Sequence, residues 1–113
     1  MIEGLRIVDT TIANLVLDDL HIACALTNRQ LTVTEVYGAV RYFCLEDRPC
    51  VGCSLYEVVP ELVGSEEVIA QILSGTLPRY ELAWVNRESG DGDLRYLNIT
   101  LLPHRNAEGD IIG

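Results

Sequence analysis

The chain has 113 residues, a length that suits one domain with its own core and leaves no room for a second. Eight Arg and no Lys stand against seventeen Asp and Glu, and the resulting charge of −9, with the Arg scattered along the chain, excludes direct nucleic-acid binding and attraction to anionic lipid. No apolar run approaches the ~20 residues of a membrane helix and the N-terminus lacks the basic-then-apolar layout of a signal peptide, so the expectation is a cytoplasmic protein without membrane insertion whose four Cys (24, 44, 50 and 53) are reduced.

In chain order, residues 4–9 form a short β-like run, and Thr10 or Thr11 caps a helix with Ile12, Leu15 and Val16 at helical spacing. Two strands are expected over residues 21–26 and 31–37, joined by the polar stretch 27–30, and the second alternates as a half-exposed strand near a sheet edge. From Ala39 to Val63 the apolar groups are short and broken by Pro49, Gly52 and Pro60, which predicts several short helices. Ser65 is placed to cap a helix over residues 66–73, with acids in its first turn and Gly75 to stop it. Residues 80–87 and 94–103 are rich in aromatic and β-branched side chains, and the turn formers between them predict an antiparallel hairpin. After a polar turn over 104–110, Ile111 and Ile112 begin a further strand that is cut short at Gly113.

This order resembles the PAS sensory domain. Residues 51–62, VGCSLYEVVPEL, look like that family's G-x-S-L-x-x-x-x-P-E stretch, and Leu73-Ser74-Gly75-Thr76 looks like the end of its long connecting helix. Asn86-Arg87, Gly90-Asp91-Gly92 and Arg95-Tyr96-Leu97 resemble its last hairpin, and residues 102–113 resemble the turn into its fifth strand. Residues 4–11 resemble that fifth strand with its closing D-x-T, as at the end of a preceding PAS repeat, so 1–18 read as belonging to such a repeat and 19–113 as a core lacking most of its last strand. The resemblance implies an α+β fold, a PAS-like antiparallel five-stranded sheet with short helices on one face. Its central fifth strand is expected from residues 4–9, permuted within the chain or swapped between chains.

The chemistry of sites adds little to this. Cys50-x-x-Cys53 with Cys44 nearby has thiols at redox or zinc spacing, but no second CxxC and no adjacent His completes a metal site, and buried thiols often serve as small apolar residues. His21 and His104 do not lie on the long helix where haem-binding PAS domains place their ligand, and no Cys stands in the Asn-Cys-Arg-Phe setting of the LOV flavin adduct, so both cofactors are disfavoured. No Gly-x-Ser-x-Gly elbow or Cys-His pairing suggests catalysis, and an enzyme is not expected. A cavity is the remaining candidate, lined by Tyr96 and Asn98 on the second hairpin strand and Trp84 on the first, with Tyr42, Phe43 and Leu55 closing over it. Its alternative is an ordinary filled core anchored by Trp84, which would share a face with Tyr80, Leu82 and Asn86.

The expected function is a non-enzymatic sensory and dimerisation module of a larger signalling protein. It would sense a small ligand or a partner, form a homodimer with or without strand exchange, and bias an output domain. A purely structural interaction module, or a switch built on Cys44, Cys50 and Cys53, are the alternatives.

Overall fold

The computed structural model describes residues 10–40, 50–88 and 94–113. Expectations for residues 4–9, for Tyr42, Phe43 and Cys44, and for the tip of the hairpin fall outside the described residues. The elements are α1 (Thr10–Asp19), β1 (Ala23–Thr27), β2 (Val33–Gly38), α2 (Leu55–Val58), a 3-10 turn (Pro60–Leu62), α3 (Glu66–Leu73), β3 (Tyr80–Glu88) and β4 (Leu94–Leu101).

The helix α1 stops where its backbone turns left-handed at His21 (φ 58°). There the N–H of His21 donates to the Asp18 carbonyl and that of Ile22 to the Leu17 carbonyl, 3.0 and 2.8 Å, the paired bonds of a Schellman stop. This delays the first strand by two residues from its expected start at residue 21. α3 ends in the same way with a residue better suited to it: Gly75 (φ 82°) donates to Ile72 and Thr76 to Gln71. The bounds of α3 are those expected, but its cap is not. Ser65 makes no side-chain cap bond, because its backbone (φ −103°, ψ 19°) has left the extended conformation an N-cap needs. The Glu66 carboxylate reaches back instead and accepts the Gly64 N–H at 3.0 Å. A serine cap does occur at α2, where extended Ser54 accepts the Tyr56 N–H.

β1 and β2 pair antiparallel from Ala23 opposite Gly38 to Thr27 opposite Val33, with an irregularity at Leu26 and Thr27. Asn28 shapes the connection by accepting the N–H groups of Gln30 and Thr32 on one side-chain oxygen, each at 3.0 Å. β3 and β4 form the expected hairpin, Tyr80 opposite Leu101 and Glu88 opposite Leu94. Between Leu82 and Val85 the register slips, so Ala83 and Trp84 together stand opposite Asn98.

Among the described residues these are two separate two-stranded ribbons, not the expected five-stranded sheet. The short helical segment holds them together from beneath. Residues 52–55 lie along the start of β2, with Val33 N–H donating to Cys53, Gly52 to Val33 and Leu55 to Leu31. One buried cluster joins Val33, Cys50 and Val58, and a second joins Leu55, Leu62 and Ile69 with Leu82, Ile99 and Leu101 of the far ribbon. Arg29 completes the link, its guanidinium donating to the carbonyls of Leu73 at 3.1 Å and Ile111 at 3.0 Å.

Candidate functional site

A trough lies between the two ribbons. β1 pairs only with β2 and β4 only with β3 among the described residues, and the inner edges of β1 and β4 face each other across a gap. A cavity of about 250 Å³ lies at one end, between His21, Ile22, Ala23 and Ala25 on one wall and residues 97–101 on the other, over Leu55, Val59 and Leu62. A second, of about 120 Å³, continues it between Ala25, Leu26 and Thr27 and residues 100–102, as far as Gly113. The pairing of low-numbered with low-numbered residues along both walls means that β1 and β4 run in the same direction.

The pleat decides what each wall presents. In β4, Leu97, Ile99 and Leu101 turn toward the core, and Tyr96, Asn98 and Thr100 turn to the exposed side. Of the residues singled out in the sequence, Leu55 and Asn98 line the trough, Leu55 from its floor and Asn98 from the β4 wall with its side chain turned to the exposed face. Tyr96 and Trp84 do not line either cavity. They sit 61 % and 77 % exposed on the outer surface, their rings edge to face at 6.2 Å.

The bulge is what moves Trp84. Its extra residue puts Val85, not Trp84, on the inner face with Tyr80 and Leu82, so the shared face expected for Tyr80, Leu82, Trp84 and Asn86 is broken. Trp84 adopts φ 60°, a conformation costly for a bulky residue, and Asn98 stabilises it by accepting the Trp84 backbone N–H at 3.1 Å. Trp84 is therefore not the core anchor; the largest fully buried side chains among the described residues are Leu62 and Val33. Sequence alternation had no means of revealing the bulge, since no Gly or Pro marks it.

The thiols are in mixed states. Cys50 is disulfide-bonded, whereas Cys24 and Cys53 take part in no disulfide, so Cys50 and Cys53 are not joined to each other. This departs from the expectation of four reduced thiols, and a sulfur in a disulfide is not a thiolate ligand for zinc. Burial raises the pKa of Cys24, which keeps it protonated and a poor nucleophile. The hydrogen bond from the Tyr37 hydroxyl to Glu35, 2.7 Å, likewise raises the pKa of that phenol. Among the described residues no group of His, Cys, Asp and Glu is disposed to hold a metal ion, and no helix is long and apolar enough to cross a membrane.

At the end of β1 next to the trough, α1 is fastened to the ribbon. Asn14 accepts the Gly38 N–H at 2.7 Å, and a Cβ on Gly38 would stand 2.7 Å from that of Leu17 and collide with the Ile22 carbonyl. Only glycine permits this approach, and its φ of 79° suits the same residue. The other side of α1 is bare, with Ile12, Leu15 and Val16 each at least half exposed.

No curated protein and no solved structure matches the chain. The model of the PAS fold family matches residues 17–113, which takes in both ribbons, the short helices between them and the trough they enclose. The chain belongs to the PAS fold family.

Proposed function

We propose that this is a non-enzymatic sensory module of a larger signalling protein, and that its sensing element is the trough between β1 and β4. The observation that carries the reading is the pair of ribbons, not joined to each other among the described residues, over a common apolar floor of Leu55, Val59 and Leu62. Whatever occupies the trough touches both ribbons at once. It therefore favours one relative placement of the ribbons over others, by as much as its affinity differs between them. A strand laid there would complete a five-stranded sheet, and a small apolar ligand would fill the same space with Asn98 and Thr100 as polar neighbours.

The signal would leave through α1, because Asn14 and Gly38 tie that helix to the ribbon that forms one wall. Its bare face of Ile12, Leu15 and Val16 supports a homodimer as the state that couples to an output domain. Cytoplasmic operation is part of the reading.

A second reading is an interaction module without a ligand, favoured by the exposed Trp84 and Tyr96 pair, since aromatic side chains are enriched where proteins dock. Native mass spectrometry of the purified protein separates the two. A co-purifying small molecule that is lost on Leu62→Ala or Ile99→Asp substitution supports sensing. A ligand-free dimer that dissociates when Trp84 is changed to Ser would replace it with the interaction module.

A further inference from the structure

The CxxC stretch Cys50-Val51-Gly52-Cys53 is one tight turn. The Cys53 N–H donates to the Cys50 carbonyl at 3.1 Å, and Gly52 holds φ 94°, the positive value that suits glycine at the third position of such a turn. A turn closed in this way keeps its end Cα atoms within about 7 Å, the separation that disulfides span. Both side chains enter the same apolar cluster, where Cys50 is buried with Val33 and Val58 and the half-buried Cys53 packs against them. Yet Cys50 is in a disulfide and Cys53 takes part in none. The Cys53 thiol is thus held within one turn of a disulfide sulfur.

We propose that this turn is a thiol–disulfide exchange site, in which Cys53 takes over the bond that Cys50 makes elsewhere. The Cys53 thiol gives its proton to water and the thiolate attacks the Cys50 sulfur. A Cys50–Cys53 bond forms as the existing bond to Cys50 breaks, and the displaced sulfur leaves as a thiolate that takes up a proton. One thiol and one disulfide stand on each side of the step, so no oxidant or reductant is consumed.

The turn also lies against β2. Val33 donates to the Cys53 carbonyl at 2.9 Å and Gly52 to the Val33 carbonyl at 2.8 Å, and two residues further on Leu55 donates to the Leu31 carbonyl at 2.8 Å. Leu55 lies in the floor of the trough, and β2 ends at the Gly38 that Asn14 holds. A bond closed inside the turn tightens the backbone on which β2 and Leu55 lean, so the pairing of the sulfurs is passed to the floor of the trough and to α1. In a reducing compartment a disulfide is characteristically transient and sensing, which accords with the cytoplasmic operation proposed above. The inference goes beyond the sensory reading and is independent of what fills the trough.

Peptide mapping tests it. Cleavage after Glu46 and Glu57 frees residues 47–57, which contain Cys50 and Cys53 and no other cysteine. A bond between these two leaves a single peptide lighter by two hydrogens, whereas any other bond at Cys50 ties it to a second fragment. The 1–113 protein is incubated anaerobically without added thiol at about pH 8, near the ordinary thiol pKa of about 8.5, then blocked with N-ethylmaleimide and digested. The internally bonded fragment is expected to grow at the expense of the linked pair while the number of blocked thiols stays constant. Cys53→Ser abolishes that growth and Cys24→Ser leaves it unchanged, with circular dichroism as the check that each variant is folded. No growth of the internally bonded fragment in the parent protein, whatever the state of Cys50 at the start, overturns the exchange and leaves Cys53 as a small apolar residue of the cluster. Growth accompanied by loss of thiols, which is oxidation, overturns it too. Between the two forms, separated by chromatography, the Val33 and Leu55 amides are expected to exchange hydrogen more slowly in the internally bonded one, and equal rates overturn the transmission to β2. A small molecule that co-purifies with the protein in any of these cases leaves the sensory reading standing.

Discussion

Asn14 and Gly38, twenty-four residues apart, are joined by a 2.7 Å bond from a strand-end N–H to a helix side chain. It ties α1 to the end of β2, and the helix also leans on the ribbon through Leu17. Asn14→Ala is expected to cost about 1 kcal/mol in urea unfolding, the net worth of a hydrogen bond, and to raise the exchange rate of α1 amides more than those of α3. Gly38→Ala is expected to be worse, because the added Cβ meets the Ile22 carbonyl and the φ of 79° is strained for alanine.

Two serines that look alike in sequence should separate sharply. Ser54→Ala removes the oxygen that holds the Tyr56 N–H and is expected to lower stability by about 1 kcal/mol. Ser65→Ala removes no cap bond and is expected to shift the thermal midpoint hardly at all. Equal effects at the two positions would show that Ser65 caps α3 after all.

His21 sits in a left-handed conformation that glycine adopts freely. His21→Gly is expected to stabilise the domain by about 1 kcal/mol, read as a higher denaturant midpoint with unchanged slope.

The Glu66 carboxylate is held below its ordinary pKa, chiefly by the Gly64 N–H it accepts. A depressed folded-state pKa adds stability that is present above the unfolded value and lost as the pH falls through the folded one. Thermal midpoints of the parent and of Glu66→Gln should therefore differ at neutral pH and converge below about pH 4, the ordinary range of a glutamate.

What could be read from the sequence was whatever is written in local pattern. α3 and the β3–β4 pairing carry their signals within a dozen residues each, as apolar periodicity, a terminal glycine and a turn-forming stretch. The G-x-S-L stretch around Ser54 pointed to the short helices. The features that shape the site are not local. The bulge depends on Asn98 reaching back to Trp84, the Schellman stop uses a histidine where glycine is the usual sign, and the trough lies between strands some seventy residues apart. Pattern alone therefore placed Trp84 inside and left the gap between ribbons as an inference from the family's sheet order.

The Arg29 clasp bears on how such a domain forms. Each ribbon is closed by short-range contacts, but Arg29 reaches Leu73 and Ile111 across separations of 44 and 82 residues. Contacts that remote bear their loop-closure entropy late, so the ribbons should form first and dock afterwards. Replacing Arg29 with Met would then accelerate unfolding and leave the folding rate nearly unchanged. A domain assembled in that order spends part of its folding as two ribbons with the space between them still accessible, and during synthesis that is when a competing strand would gain entry most readily.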